Sequence, residues 1–113
     1  MAIQTPAEKN ALATKYGTDA AYGALFTTAP GASAGTEVTG GSPAYARKAL
    51  SWGAAANGVI TASATFDVPA CTVVGTGVYS AATAGTYLDG NTVSSVTFTG
   101  QDTVTVTFTY TQS

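Results

Sequence analysis

Acidic side chains are the first residues in this 113-residue chain that could do chemistry. The six carboxylates are Glu8, Asp19, Glu37, Asp67, Asp89 and Asp102. A glycosidase needs two carboxylates across a cleft, one of them with a pKa raised by burial. Helix capping already explains Glu8, and turn chemistry explains two of the aspartates. Asp67 is the least explained, and we expect it to pair with Arg47 or Lys48 rather than to act as a catalyst.

Nucleophiles and metal ligands are equally scarce. The chain has no His and one Cys, which excludes His-based triads, zinc sites and an internal disulfide. No cluster of cations lies near Cys71 in the sequence, so we expect a buried, unreactive thiol. The Gly75-Thr76-Gly77 segment is too short for a dinucleotide-binding fingerprint. We therefore expect a protein that is not an enzyme and that holds no metal and no cofactor.

Aromatic side chains are the remaining candidates for a binding surface. The four that could contact a glycan or a protein partner are Tyr45, Trp52, Tyr79 and Tyr87. Aromatic rings stack on sugars, but in a small β domain they also fill the core or an interface. A glycan site requires that these rings be exposed together on one concave face.

Charge narrows the range of partners. Charged residues make up 9% of the chain, the net charge is −2, and the four cations are split between two places. Binding to nucleic acid through phosphates is therefore disfavoured. The N-terminal residues lack the pattern of a signal peptide, and no stretch is long and apolar enough for a membrane helix, so we expect synthesis in a cytoplasm and no membrane association.

A short N-terminal helix is the first element expected to position these residues. The segment Thr5-Pro6-Ala7-Glu8 is a capping box with proline at the first helical position. It predicts a helix over residues 6–16, ended by Gly17. We expect an N-terminal arm and helix over residues 1–17, followed by a β domain over residues 18–113, within one domain overall.

Alternating strands are predicted for the rest of the chain. We expect strands at 22–28, 45–52 and 59–68, the last two joined as a hairpin by Asn57-Gly58. Residues 73–79 form a strand in which Gly75 and Gly77 mark a bulge or a close approach. A short strand at 86–88 ends in an Asp89-Gly90 turn, and a further strand follows near Phe98.

Residues 103–110 carry the clearest strand pattern. Thr occupies every odd position, whereas Val104, Val106, Phe108 and Tyr110 occupy the even ones. This alternation predicts an apolar face in the core and a threonine face outside, with the strand inside a sheet rather than at a free edge. Short strands at close spacing with no helices between them indicate an antiparallel β-sandwich, of jelly-roll or immunoglobulin-like type.

Several ordered motifs resemble a family of small tailed-phage virion proteins. They are an aromatic-Ala-Leu-Phe-Thr strand with a Pro/Gly loop at 22–31, Glu-Val-Thr-Gly-Gly at 37–41, Tyr-Ala-Arg-Lys at 45–48, Trp-Gly-Ala-Ala at 52–55, Phe-Asp-Val-Pro-Ala at 66–70 and a turn with a strand at 80–90. Members of this family, often from phages of actinobacteria, carry the label tail fibre or minor structural protein. The resemblance implies a particle component but does not choose between head and tail.

Our leading hypothesis is a non-enzymatic virion protein that decorates the capsid in many copies, or a minor capsid protein. A small sandwich with few charges and no shaft repeat suits a compact knob. The alternative is a tail fibre or minor tail module that contacts glycans of the host envelope through the four aromatic residues.

Assembly contacts follow from the same hypothesis. We expect the partners to be the major capsid protein or tail proteins, together with further copies of the chain. The candidate anchor to the particle is the N-terminal helix or residues 1–5 ahead of it, through Ile3, Leu12 and Tyr16. A trimer would suit a three-fold capsid site, but the residues do not choose three copies over two.

Overall fold

The computed structural model of the chain describes residues 3–112. It contains one helix and six strands: α1 (Pro6–Asp19), β1 (Tyr22–Phe26), β2 (Lys48–Ala49), β3 (Val59–Val68), β4 (Cys71–Tyr79), β5 (Tyr87–Phe98) and β6 (Asp102–Thr111). Four strands form an antiparallel sheet in the order β2-β1-β4-β5, and β3 pairs with β6 in a second sheet. The predicted mainly β sandwich with a short N-terminal helix is confirmed.

Helix α1 begins where the capping box predicts. The Glu8 N–H donates to Thr5 Oγ1 at 3.3 Å, and Pro6 occupies the first turn. The predicted end at Gly17 is wrong, because the helix continues to Asp19. A Cβ at position 17 would lie 3.0 Å from Ile60 Cδ1, so glycine there lets the helix pack closely on β3. Among the described residues, no helix is long and apolar enough to span a membrane.

The pairing of β3 with β6 is the most regular part of the fold. Ten consecutive residue pairs run from Val59 opposite Thr111 to Val68 opposite Asp102. The side chains of Ile60, Ala62, Ala64, Phe66 and Val68 are buried, as the alternation predicts. On the outer face Thr65 Oγ1 lies 2.9 Å from Thr105 Oγ1. The expectation that β6 has neighbours on both sides is wrong, since within the described residues it pairs with β3 alone.

The strands differ from the sequence predictions in three places. The strand predicted for 22–28 is found as β1, but the one predicted for 45–52 is reduced to β2, which pairs with β1. Asn57 and Gly58 do form a tight turn, with φ of 51° and 78°, but β3 then pairs with β6 instead of with residues 45–52. The turn predicted at Asp89-Gly90 is absent, because both residues lie inside β5 opposite Val78 and Gly77.

Apolar residues form two layers. The main core lies between the sheets and contains Leu25, Phe66 and Phe108. Gly23 faces Phe108 so closely that a Cβ would lie 2.8 Å from the Phe108 Cζ atom. A second cluster on the outer face of the four-stranded sheet holds Phe26 and Tyr79. The predicted close approach at Gly75 and Gly77 is confirmed, since Pro30 and Phe26 pack directly against these glycines.

The two sides of the sandwich are closed differently. On one side, which we call the closed side, α1 and β2 both pack against β3. On the other, which we call the open side, β5 and β6 are the outermost strands of their sheets and belong to different sheets. The free edges of two strands therefore border the same side of the molecule.

Candidate functional site

A groove runs along the open side and has two ends of different chemistry. One end, the end cleft, is lined by Tyr16, Trp52, Asp89, Asn91 and Tyr110 and has a volume of about 300 Å³. The other, the apolar groove, is lined mainly by Leu25, Val73, Val93, Val96, Phe98, Val104 and Val106 and has a volume of about 350 Å³. Val93 and Val106 line both parts, so the two are continuous.

Aromatic rings form one wall of the end cleft. The Tyr16 ring from α1 stacks on the Tyr110 ring of β6, with centroids 3.7 Å apart and planes at 10°. Trp52 meets Tyr16 edge-on with centroids 6.1 Å apart, and its Nε1–H donates to the Ala20 carbonyl at 2.9 Å. Because internal contacts hold all three rings, the wall is rigid before any ligand arrives.

Polar groups from β5 face this wall. The Tyr16 hydroxyl donates to Asp89 Oδ2 at 3.2 Å. Burial and the neighbouring carboxylate together raise the pKa of Tyr16 above its ordinary value of 10.0, so the phenol stays protonated. Asp89 is the one carboxylate among the described residues that line the cleft, and Asn91 adds an amide. Rings beside a carboxylate and an amide suit the binding of a polyhydroxylated ligand.

Exposed large apolar side chains are concentrated on β5, the strand that borders the apolar groove. Among the described residues there are four: Leu12, Leu88, Val93 and Val96. Three of them lie on β5, and Val93 and Val96 border the groove with exposed fractions of 37% and 47%. Apolar exposure is therefore concentrated on the open side instead of being scattered.

The four aromatic residues singled out in the sequence do not share one concave face. Only Trp52 lies in the end cleft. Tyr79 is buried, and the centroid of its ring lies 5.7 Å from that of Tyr87, whose hydroxyl donates to the Gly31 carbonyl at 2.7 Å. Tyr45 is half-buried and stacks on Phe66. A glycan or partner contact through Tyr45, Tyr79 and Tyr87 stays a prediction.

An ion-pair network accounts for Tyr45 and Tyr79. Arg47 donates from Nε and Nη2 to the two Glu37 oxygens, each at 3.0 Å, and from Nη1 to the carbonyls of Ala81 and Ala84. Its guanidinium carbon lies 3.5 Å from the centroid of the Tyr79 ring. The Tyr45 hydroxyl donates to Glu37 Oε2 at 2.8 Å. This network joins three loops. Sequence reasoning missed it because no local motif marks the Glu37–Arg47 pair and because Tyr79 and the two carbonyls lie far from Arg47 along the chain.

Other predicted residues have simpler environments. Asp67 lies 3.8 Å from Lys48 Nζ, which agrees with the expected ion pair. Cys71 is half-buried rather than fully buried, and burial raises the pKa of its thiol. Of the candidate anchor residues, Ile3 is half-buried, Leu12 is exposed and Tyr16 is held in the end cleft. Residues 1 and 2 of the proposed anchor segment lie outside the described residues.

Comparison with known families identifies the chain's relatives. The family model described as "Podophage GP4 fiber I protein gp80" matches residues 10–112. The chain belongs to this phage fibre family. No curated protein and no solved structure matches it. Membership of the gp80 fibre family makes the chain a phage structural protein and a component of the virion.

The gp80 fibre family also bears on the two hypotheses drawn from the sequence. Its description names a fibre protein, which favours the tail-fibre alternative over capsid decoration. The match does not support the leading hypothesis of a capsid decoration or minor capsid protein. The association with phages of actinobacteria is not confirmed by the match either, because the description names a podophage and not a host.

Proposed function

We propose that the chain is a non-enzymatic structural module of a phage tail fibre. The match to the gp80 fibre family over residues 10–112 carries this proposal. The shape agrees with it, because the molecule measures 47 × 23 × 23 Å and is about twice as long as it is wide. With no shaft repeat in its sequence, the chain contributes one module to a longer assembly, and its partners are other tail proteins and further copies of itself.

Electron microscopy of intact particles tests the location. Fab fragments raised against the purified protein would be bound to virions, and their positions would be averaged. We expect labels on fibres that project from the tail. Labels distributed over the head lattice would instead restore capsid decoration and overturn the proposal. An antibody against the major capsid protein serves as the control for labelling of the head.

A second candidate function is contact with carbohydrate of the host envelope at the end cleft. The observation that favours it is the rigid wall of Tyr16, Trp52 and Tyr110 opposite Asp89 and Asn91. A volume of about 300 Å³ is at the lower end of the roughly 300–1,000 Å³ of small-ligand sites, which suits one or two sugar rings. Aromatic faces would cover the apolar side of a sugar, and the two β5 side chains would bind its hydroxyls.

A glycan array followed by NMR titration tests the cleft. The wild-type protein should bind a subset of glycans, and Asp89→Asn and Asn91→Ala should weaken that binding. Asp102→Asn is the matched control, since it makes the same carboxylate-to-amide change at a residue that does not line the cleft. Absence of any bound glycan, or equal binding by Asn91→Ala and the wild type, would rule out the cleft as a sugar site without affecting the fibre assignment.

A further inference from the structure

The free edge of β6 exposes an ordered row of backbone groups. The Gln112 N–H donates to the Gly58 carbonyl at 2.8 Å, which places the N–H and C=O groups of even-numbered residues toward β3. Since the register is unbroken over ten pairs, the odd-numbered residues direct theirs away from β3. The Thr103 N–H agrees with this geometry, because it bonds to the Asp102 side chain instead of to β3. Thr105, Thr107 and Thr109 therefore present both N–H and C=O at the edge.

Nothing in the sequence of β6 protects this edge. The strand has no Pro, no Gly and no Lys, and Asp102 at its first position is its one charged residue. Natural edge strands are usually short, charged, bulged or covered, because an uncovered one pairs with other chains. A regular ten-residue edge made of β-branched and aromatic residues has the composition that favours such pairing.

We propose that the β6 edge pairs with the β6 edge of a second copy of this chain in an antiparallel, two-fold arrangement. With Thr107 at the centre, Thr105 lies opposite Thr109 of the second copy, and Val106 lies opposite its Phe108. Threonine then meets threonine on the outer face and apolar residues meet on the inner face. The β3 and β6 strands already form such hydroxyl pairs, Thr65 with Thr105 at 2.9 Å and Ser63 with Thr107 at 3.2 Å.

Charge favours a second copy as the occupant. In a two-fold contact, a charged residue near the axis faces the same residue of the second copy, and two like charges directly opposite each other are destabilising. In the register centred on Thr107, Asp102 lies opposite Gln112 of the second copy and not opposite another carboxylate. The edge is otherwise uncharged, so the same surface on both copies meets without repulsion.

The same arrangement covers the apolar groove. A two-fold axis perpendicular to the β3–β6 sheet keeps the inner faces of both copies on one side of the joined sheet. The β5 edges of the two copies then approach each other over this sheet, which removes Val93 and Val96 from water. One contact thus accounts for both the free edge and the concentration of exposed apolar residues on the open side.

This inference goes beyond the proposed function and does not depend on where the protein sits in the virion. A second copy at β6 also approaches Tyr110, so it narrows access to the end cleft. Association is therefore measured on the purified chain without sugar, and its outcome is independent of both particle labelling and glycan binding.

Sedimentation of edge variants is the first test. The wild type should sediment as a dimer, Thr107→Pro as a monomer with half the mass, and Thr107→Val as a dimer. Proline at position 107 removes an N–H that faces away from β3, so the pairing within the copy is retained. Val96→Lys should also give a monomer, whereas Leu88→Lys should not, because Leu88 is 40% exposed, against 47% for Val96, but does not line the groove.

Amide hydrogen exchange is the second test and needs no variant. The amides of Thr105, Thr107 and Thr109 should exchange rapidly in dilute protein and become protected as concentration rises, whereas those of Val104, Val106 and Phe108 should be protected throughout. A wild type that is monomeric at every concentration, a trimer, or a Thr107→Pro variant that is still dimeric would overturn the proposal. If Thr107→Pro does not fold, the wild type alone decides: amides of Thr105, Thr107 and Thr109 that still exchange rapidly at high protein concentration would overturn the proposal.

Discussion

The closed and open sides of the sandwich use similar strands but differ in what covers them. On the closed side, Gly17 lets α1 pack on β3, and Trp52 bonds to the end of the helix. On the open side, two strand edges and a continuous groove have no cover within the described residues. Uncovered strand edges and exposed apolar patches are the features through which chains associate, which is why the contact proposed above is placed on the open side.

Truncation of one core residue and of one residue on the open side gives the largest expected difference. Phe66 is completely buried, and Phe66→Ala should lower the free energy of unfolding by about 3–5 kcal/mol because a cavity is left. Val96 is 47% exposed, and Val96→Ala should change stability by no more than about 0.5 kcal/mol in dilute, monomeric protein. Urea unfolding measures both. Equal losses for the two variants would mean that the open side is packed as tightly as the core.

Two neighbouring cations provide the next largest contrast. Arg47 binds both Glu37 oxygens and two carbonyls, and Arg47→Lys should cost about 1.5–3 kcal/mol since lysine cannot reproduce these bonds. Lys48 is more exposed and lies 3.8 Å from Asp67, so Lys48→Ala should cost less than about 1 kcal/mol. Thermal unfolding of both variants tests this. A larger loss for Lys48→Ala would show that the Glu37 network is not what fixes the loops.

Alkaline pH should weaken the Glu37 network and the end cleft through their tyrosines. Burial raises the pKa values of Tyr45 and Tyr16 above the ordinary 10.0, and bonds to Glu37 and Asp89 add to these shifts. Below pH 10 the folded and the unfolded chain both keep these two phenol protons, so the raised pKa values add no pH dependence to the free energy of unfolding. Above pH 10 the unfolded chain loses protons that the folded chain retains, so stability falls with rising pH. Tyr45→Phe and Tyr16→Phe should each reduce this slope between pH 9 and 11, and unchanged slopes would exclude these two groups as its cause.

The smallest effect on stability is expected for the exposed helix residue Leu12. Leu12→Lys should alter the free energy of unfolding by no more than about 0.5 kcal/mol. If α1 anchors the module to the particle, the same variant should be incorporated into virions less efficiently than Ala11→Lys, its neighbour on the helix. Quantitative immunoblots of purified particles measure incorporation. Equal incorporation of the two variants would remove α1 as the anchor.

The sequence pattern predicted the start of the helix and some strands well because interactions between neighbouring residues determine them. The start of α1 after Thr5 and the alternation of β3 and β6 depend on residues close in sequence, and both were confirmed. The Asp89-Gly90 turn failed because pairing with β4 outweighs turn preference at those two residues. The Asn57-Gly58 turn formed, but turn chemistry does not choose the partner strand.

The groove was beyond prediction from the sequence for a different reason. Its end cleft joins Tyr16, Asp89 and Tyr110, which lie on three elements spread over most of the chain. Tyr110 did carry a signal, since it extends the apolar row of β6 to the end of the strand. Its stacking partner depends on where α1 docks, and that docking is a long-range property of the fold.

Gly23 has a consequence for how the second sheet finds its alignment. The Thr-Val-Thr-Val-Thr-Phe-Thr-Tyr repeat of β6 would keep the same faces after any two-residue slip along β3, so alternation alone leaves several alignments nearly equivalent. Phe108 fits against Gly23, where a side chain of any other residue would collide with its ring. A slip would put Val106 or Tyr110 at that position, leaving a void or a clash. One missing side chain on β1 thereby selects a single alignment for a strand in the opposite sheet.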